Sequence, residues 1–455
     1  MDALTSSLIV SRLRQLMEQI DLFARQQGGG AASCRHVLCD GDDPLVAADH
    51  PLTGTPFVFV RWDGSRLACI RGEEPGIRRD ALELGSWQLG RLTAGWSSDA
   101  IIAAIAELRR LNAMATQAVI EALPQGRWTA EDWLDSDGIV DRPLRIAVEL
   151  ENRDGRLRLD FGQTSAAAGG AVNLSAAMTR MACDQALRSA SVVEPLFAVS
   201  SGKIDLVIPE GCLLSAEPLD CTGHGFQRVV DVVTAVLAKA TPTSSLHAAP
   251  GAASAVRLGT RGAATFSFPG GGGACSSRDG SDCLDARRQW LCSSSIEILE
   301  RELPVMFVLS SARTDSGGAG LRRGGVGTTH ELEVLDVEAE ASLLGERGKY
   351  GPPGLAGGRP GSGLRLAWWD GGVACDPPMI SRLDGLHLTR GQRLRLETAG
   401  GGGYGRARQR SPQDVSFDVR NGYVSYGAAR RDYAVEVDRS GVLDMEATRK
   451  LRGQA

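Results

Sequence analysis

Glu397-Thr-Ala-Gly-Gly-Gly-Gly-Tyr-Gly405 is the stretch of this 455-residue sequence that says most about its fold. Four consecutive glycines add backbone entropy and bury no side chain, so such a run suits positive φ or a close approach of the backbone to another group. A second run, Pro269-Gly-Gly-Gly-Gly-Ala274, lies far upstream. The two runs therefore predict segments whose role depends on the backbone itself.

Two interpretations of these runs remain open. Successive backbone N–H groups can form a nest for an anionic ligand, and Gly271 and Gly272 are then the candidate substrate-binding or anion-binding residues. Alternatively, the glycines allow packed loops to cross at short range, which is the interpretation we favour. Neither run carries the GxxxxGK[ST] pattern of a phosphate-binding loop.

Composition excludes several classes of protein. Apolar residues make up 43% of the chain and charged residues 23%, as in ordinary globular proteins. The net charge of -5 argues against a nucleic-acid partner. No stretch approaches the roughly 20 apolar residues that span a bilayer, and the first residues lack the basic region of a signal peptide. The ten cysteines include no CxxC pair, so we expect reduced thiols in a soluble, cytoplasmic protein without a membrane partner.

Hydrophobic periodicity predicts a mixed fold. Apolar residues at helical spacing predict helices over about 4–26, 98–123, 173–190 and 226–240, with a short one near 427–433. Alternating apolar residues predict hairpins at about 57–70 and 143–162. Because strands and helices do not alternate regularly, we predict an α+β fold with antiparallel hairpins and several long helices.

Three regions follow from these patterns. Residues 1–125 form an α+β region, residues 126–255 combine a hairpin with two helices, and residues 256–455 are glycine-rich and dominated by strands. These boundaries are expectations from sequence patterns alone.

Several motifs in a fixed order resemble one family. They are Leu159-Asp-Phe-Gly-Gln-Thr-Ser165, Gln227-Arg-Val-Val-Asp-Val-Val233, Arg313-Thr-Asp-Ser-Gly-Gly-Ala-Gly-Leu-Arg-Arg-Gly-Gly325 and the glycine-rich ending 397–433. Together they resemble the hydantoinase B/oxoprolinase family over roughly residues 8–435. The resemblance implies one subunit of a hetero-oligomer that opens a small cyclic amide or carboxylates a small ketone. It also implies that ATP is used by a hydantoinase A-like partner subunit.

The sequence departs from the family pattern in its first third. Members of the family typically carry Gly-Gly-Thr-His followed by an Asp, and then a His-His-x-Asp-x-Gly-Gly segment. Here the corresponding stretch is shortened to Ala48-Asp-His-Pro-Leu-Thr-Gly-Thr-Pro56. The region 1–125 is therefore interpreted as a shortened metal-site module.

Asp49 and His50 are the remaining catalytic and metal-binding candidates in that module. An imidazole beside a carboxylate can bind a divalent ion such as Zn, Mn or Fe, or can move a proton. The structural alternative is a polar turn ahead of Pro51. If the candidates fail, the chain is a non-catalytic scaffold subunit that keeps the fold and the partner surface. A stand-alone binding protein is a third hypothesis.

His224 and Arg228 are candidates for binding an anionic substrate group. They stand at the predicted start of the helix 226–240, where backbone N–H groups and the helix dipole favour anions. Alternatively, Arg228 pairs with Asp231 along the helix at i, i+3.

Two other motifs have stronger structural interpretations than functional ones. Asp315-Ser-Gly-Gly318 is similar to the nucleophile loop of serine proteases, but Thr314 replaces the usual glycine and no suitable His segment accompanies it. Cys34-x-His36-x-x-Cys39, with Asp40 and Asp42 nearby, could form half of a metal site, but two of these residues alternate along the edge of a predicted strand, which favours a structural role.

Overall fold

The computed structural model describes residues 35–40, 43–47, 57–62, 67–71, 87, 90–91, 93–170, 172–190, 203–216, 225–241, 246–252, 254–259, 263–283 and 296–453. The chain divides into two compact units. The first comprises Met1–Asp132 and Arg145–Thr241, and the second comprises Trp133–Leu144 and Pro242–Ala455. The segment Trp133–Leu144, which lies in sequence between the two parts of the first unit, therefore belongs to the second unit.

Three helices of the first unit confirm the helical periodicity of the sequence. They are α1 (Ser98–Ala122), α2 (Ala176–Ser189) and α3 (Phe226–Ala240). The Ser97 hydroxyl accepts the Ala100 N–H at the start of α1, at 3.2 Å, as expected for an N-cap. Helix α3 buries Val229, Val233 and Leu237 completely and packs against α2. The helix predicted over 4–26 lies outside the described residues.

The first unit also contains two four-stranded sheets. Strands β1 (Arg35–Asp40), β2 (Asp43–Ala47), β3 (Phe57–Trp62) and β4 (Leu67–Arg71) form a sheet in the order β2-β1-β3-β4. Strands β5 (Gly126–Leu134), β6 (Leu144–Arg153), β7 (Arg156–Asp160) and β8 (Ile204–Val207) form the second, in sequence order. Both predicted hairpins are confirmed, since β3 pairs with β4 and β6 with β7 in antiparallel register.

Two antiparallel sheets dominate the second unit. Its elements are β9 (Ser254–Gly259), β10 (Ala263–Phe268), α4 (Ile296–Glu302), β11 (Val305–Ala312), β12 (Thr328–Val334), β13 (Glu338–Leu344), β14 (Arg365–Asp370), β15 (Val373–Cys375), β16 (Arg382–Thr389) and β17 (Arg393–Glu397). One sheet has the order β10-β9-β13-β16 and the other β11-β12-β17-β14-β15. Leucines and valines of both sheets, among them Leu258, Val334 and Leu396, form one hydrophobic core.

A small helical region ends the second unit. It contains α5 (Pro412–Arg420), α6 (Tyr426–Tyr433), the short strands β18 (Glu436–Val437) and β19 (Leu443–Asp444), and α7 (Met445–Arg452). Helix α6 confirms the predicted helix at 427–433, whereas α5 and α7 were not predicted. Val415, Ala429 and Val435 are fully buried in the core of this region.

The second unit also contains a glycine-rich body without regular helices or strands. We call it the glycine lattice and define it as residues 248–252, 270–274, 279–283, 316–327, 351–363 and 399–405. Backbone hydrogen bonds join its segments laterally: the Gly401 N–H donates to Gly325 O at 2.9 Å, and the Gly325 N–H donates to Gly272 O at 2.8 Å. Three segments distant in sequence are therefore connected through glycine backbone alone.

The described elements make an α+β protein, as the sequence predicts. No helix in the described residues is both long enough and apolar enough to cross a membrane.

Candidate functional site

Both glycine runs lie inside the lattice at very short range from other backbone. A Cβ atom on Gly401 would lie 1.9 Å from Gly272 O, and one on Gly271 would lie 2.0 Å from Gly325 O. No glycine of the runs 270–273 and 400–403 has a positive φ. The runs are therefore required for close backbone approach, and the positive-φ alternative does not apply to them.

The candidate anion-binding amides of Gly271 and Gly272 are used within the fold. The Gly271 N–H donates to Ala399 O at 2.9 Å, and the Gly272 N–H donates to Ser281 O at 2.8 Å. Neither amide is left to form a nest, because each N–H has one proton to donate. The contacts support the structural interpretation of this run.

Arg228 is buried at the start of α3, where it faces carboxylates of its own unit. Its side chain is 4% exposed, and its Nη1 atom lies 3.9 Å from an oxygen of Asp132 and 3.9 Å from an oxygen of Asp231. Asp231 also accepts a hydrogen bond from Gln227 Nε2 at 2.8 Å. One guanidinium facing two carboxylates favours the internal pairing interpretation over an external anion. His224 lies outside the described residues.

The metal candidates Asp49 and His50 also lie outside the described residues. In the part of the chain that the structure describes, no group of three or more His, Cys, Asp or Glu side chains is placed to hold a metal ion. His36 and Cys39 belong to β1. A metal centre in this chain therefore stays a prediction that depends on Asp49 and His50.

The Ser316 hydroxyl forms hydrogen bonds within the fold and does not resemble a nucleophile. The residue is 1% exposed. Its Oγ donates to Arg313 O at 2.6 Å and accepts the Gly327 N–H at 2.9 Å. The serine-protease interpretation of Asp315-Ser-Gly-Gly318 therefore has no support from the geometry.

A buried ionic cluster links the glycine lattice to α5, and sequence patterns did not reveal it. Its two arginines, Arg323 and Arg410, are each 3% exposed at the side chain, and the carboxylate of Asp418 between them is 2% exposed. Arg410 donates to both oxygens of Asp279 at 2.7 and 2.8 Å. Arg323 donates to both oxygens of Asp282 at 2.7 and 3.0 Å.

Two opposing effects act on the pKa values of Asp418 and Asp279 in this ionic cluster. Burial raises them, and the neighbouring guanidinium groups lower them. Burial raises the pKa of Asp418, although Arg323 and Arg410 attract its charged form. Among these effects, burial acts most strongly on Asp279 and raises its pKa, but the hydrogen bonds and positive charges of Arg410 and Arg323 together outweigh burial, and the pKa is lowered. Two guanidinium groups thus face three carboxylates, and removing one partner of such a buried pair strongly destabilises a fold.

A second set of hydrogen bonds fixes the loop before β14. Asp135 is 2% exposed, and its carboxylate accepts the N–H groups of Gly348, Lys349 and Tyr350 at 2.6, 3.0 and 3.3 Å. It also accepts the hydroxyl of Ser381. Asp135 lies in the segment Trp133–Leu144 of the second unit and thus orders another loop of the same unit. The partners are more than 200 positions apart, so no local sequence signal predicts them.

Comparison with known proteins identifies the family. The hydantoinase B/oxoprolinase family model matches residues 78–407. The chain is 30% identical over 325 residues to an uncharacterized protein of Methanocaldococcus jannaschii, covering 69% of this chain and 56% of that protein. It is 26% identical over 399 residues to a protein of Pseudomonas sp. strain NS671 that is provisionally named as the B-type subunit of a D-/L-hydantoinase, covering 82% of this chain and 66% of the other. The chain thus spans less than two thirds of the length of these relatives.

A solved structure is similar across most of the chain. The ATP-dependent caprolactamase of Pseudomonas jessenii matches with a TM-score of 0.71 and 26% sequence identity, over 83% of this chain and 68% of the other. The resemblance expected from the glycine-rich motifs is therefore confirmed in both sequence and fold. Because the family model matches well over half of the sequence, the chain belongs to the hydantoinase B/oxoprolinase family.

Proposed function

We propose that this chain is the B-type subunit of a heteromeric, ATP-dependent enzyme that hydrolyses a cyclic amide or carboxylates a small ketone. The observation that carries the proposal is the match to the ATP-dependent caprolactamase at 26% identity over 83% of the chain. The relative from Pseudomonas sp., which is named as a B-type hydantoinase subunit, supports a heteromer.

The division of labour between subunits follows from the chemistry. An amide carbonyl is a poor electrophile, so its oxygen has to be activated before water can attack the carbonyl carbon. The sequence has no GxxxxGK[ST] loop for ATP phosphates. The amides of Gly271 and Gly272 are occupied by other backbone groups. We therefore assign ATP to a hydantoinase A-like partner and the second reaction centre to this chain.

Within this chain, Asp49 and His50 remain the candidates for the general base or for binding a divalent metal ion. An imidazole and a carboxylate supply both chemistries. A purified complex with the A-type partner tests their role. We expect ATP-dependent opening of a cyclic amide, such as 5-oxoproline, hydantoin or ε-caprolactam, followed as product formation coupled to release of ADP or phosphate. The Asp49→Ala and His50→Ala substitutions should lower the rate by about 100-fold or more, the usual size of a general-base effect. Full activity in the double variant would remove these residues from the mechanism.

A second candidate function is a non-catalytic scaffold subunit. The specific observation in its favour is the shortened stretch 48–56, which keeps one histidine where the family typically has several. Metal analysis of the purified complex distinguishes the two functions. Stoichiometric Zn, Mn or Fe that is lost in His50→Ala would contradict the scaffold. A complex that assembles without such a metal and shows no ATP-dependent turnover of either substrate class would support it.

A further inference from the structure

The outer face of the β10-β9-β13-β16 sheet carries an open hollow of about 350 Å³. Its lining residues are Arg257 and Gly259 on β9, Glu338, Ala339, Glu340 and Ser342 on β13, and His387 on β16. This volume lies near the lower end of the range typical of small-molecule sites. We call it the β13 hollow.

Strand register brings the polar side chains of the β13 hollow together. Glu340 is opposite Gly259 of β9 on one side and opposite His387 of β16 on the other. Arg257 is opposite Ser342, two positions along β13. Because side chains two positions apart share a face of a sheet, these groups form two adjacent rows on the outer face.

Gly259 leaves its own position in the row of Glu340 and His387 open. A Cβ atom there would meet only Glu340 O, at 3.8 Å, and Gly259 is not in the left-handed region of φ. The backbone therefore does not require glycine at this position. A larger side chain would fill the hollow without backbone strain.

The charged groups of the β13 hollow have no charged or hydrogen-bonding partner among the described residues. Arg257, Glu338, Glu340 and His387 are exposed. In the described part of the chain, none of these four side chains has an ion pair or a hydrogen bond. The outer face of the other large sheet differs, since Arg395 there pairs with Glu331 at 2.5 Å.

We propose that the β13 hollow binds a small zwitterionic amino acid. The guanidinium of Arg257 matches the fork geometry of a carboxylate, and the imidazole of His387 can donate a further hydrogen bond to it. The carboxylates of Glu338 and Glu340 pair with the ammonium group. The choice of probe rests on the proposed function, since opening a cyclic amide leaves an amine and a carboxylate on one molecule. The chemistry of the hollow does not rest on it.

Titration calorimetry on the purified full-length chain, without ATP or partner, tests this site. The probe is 6-aminohexanoate, and hexanoate and hexylamine are the analogues that each lack one charge. We expect one molecule of 6-aminohexanoate per chain, with each analogue binding at least about tenfold more weakly, since about 1.4 kcal/mol of lost interaction is a factor of ten. No binding of 6-aminohexanoate, or equal binding of either analogue, would overturn the proposal.

Two variants locate the binding. Arg257→Gln removes the guanidinium that binds the carboxylate of the ligand, and Gly259→Val places a side chain in the β13 hollow. Each should weaken 6-aminohexanoate binding at least about tenfold. Gly95→Val is the matched control, because a Cβ there meets nothing within 4 Å, and it should leave binding unchanged. Unchanged affinity in Arg257→Gln places the ligand elsewhere and overturns the proposal even if Gly259→Val does not fold. ATP-dependent turnover plays no part in this measurement. Absence of 6-aminohexanoate binding would therefore overturn this proposal and leave the proposed function untouched.

Discussion

At the residue scale, the glycines of the lattice show what a sequence can and cannot indicate. A run of four glycines signals either positive φ or close backbone approach, and both conditions select the same residue. The structure shows close approach, with Gly401 against Gly272 and Gly400 against Ser316. In the sequence, Gly272 lies 129 positions from Gly401, and Ser316 lies 84 positions from Gly400. A constraint on the backbone itself was predictable and close approach was the favoured interpretation, whereas the identity of each contact was not predictable.

A single methyl group in the lattice should be costly. In Gly401→Ala the new Cβ would lie 1.9 Å from Gly272 O, a backbone atom that cannot rotate away. We expect the free energy of unfolding to fall by about 3 kcal/mol, at the upper end of typical overpacking effects. Urea denaturation followed by circular dichroism measures this change.

Gly427→Ala is the control for that substitution. Gly427 lies in α6, and the nearest atom to its added Cβ is Ser425 Oγ at 3.9 Å. Alanine there should be neutral or stabilise the protein by up to about 1 kcal/mol, because it favours the helix. Equal effects of the two substitutions would contradict the assignment of the lattice as backbone-packed.

His330 gives a pH dependence with a defined sign. Its ring stacks on Phe268 at 4.1 Å between centroids, its Nδ1 atom lies 3.1 Å from Ser310 Oγ, and burial lowers its pKa from 6.5 to about 4. The unfolded chain therefore binds this proton more readily than the folded chain. The contribution of His330 is fully present above pH 6.5 and is lost as the pH falls towards 4, by up to about 3 kcal/mol.

The variant His330→Phe isolates this effect from the titration of carboxyl groups. We expect its free energy of unfolding to fall less steeply than that of the native protein between pH 6.5 and 4, measured by denaturant titration at a series of pH values. Parallel curves over this range would show that His330 does not titrate on unfolding.

At the scale of elements, long periodic segments were predictable and short polar ones were not. Helices α1 and α3 were predicted to within a few residues because each has a continuous apolar stripe. Helices α5 and α7 have only nine and eight residues and are rich in charge. Their N-caps, Ser411 and Asp444, were the available signals, since each side chain accepts the N–H three residues later.

The ionic cluster should hold α5 against the lattice. In Arg410→Met, the buried carboxylate of Asp418 loses the 2.9 Å contact with Arg410, and Asp279 loses both of its hydrogen bonds from that side chain. We expect a loss of about 3–5 kcal/mol in the free energy of unfolding, as for other buried charges left unpaired. Hydrogen exchange should show the largest loss of protection in α5.

The matched surface variant is Arg430→Met, whose partner is Glu436 and whose side chain is 61% exposed. Such exposed pairs contribute about 1 kcal/mol or less. If Arg410→Met costs no more than Arg430→Met, the ionic cluster does not hold the region together.

Asp135 should order the loop that it contacts. Asp135→Asn replaces one acceptor oxygen with an NH2 group that faces backbone donors, so about 1–3 kcal/mol of stability should be lost. Amide exchange at Gly348, Lys349 and Tyr350 should accelerate, because all three N–H groups donate to this carboxylate. Asp141→Asn, at an exposed ion pair with Lys349, should leave that exchange nearly unchanged. Similar exchange in both variants would contradict the role of Asp135.

At the scale of the whole molecule, the fold and the family were predictable because several separate motifs occur in one order. The glycine-rich ending and the turn 313–325 contain glycines that the close approach of other backbone requires, and this requirement is visible in the sequence. The candidate site was less predictable, since only the tertiary structure reveals Asp132 beside Arg228 and Ala399 as the partner of the Gly271 N–H, although Asp231 was anticipated from the helical spacing. The same polar residue types serve either function or structure, so the sequence alone does not distinguish the two roles.

The proposed function requires this chain to work as one subunit of an ATP-dependent heteromer. Affinity purification of the full-length tagged chain from the cells that produce it, followed by native mass spectrometry, is the most direct test. We expect a stable complex in which this chain is joined by a hydantoinase A-type subunit, and ATP-dependent turnover by that complex. Recovery of the chain alone, under conditions in which a hydantoinase A-type subunit is present in the same cells, would contradict the proposed function.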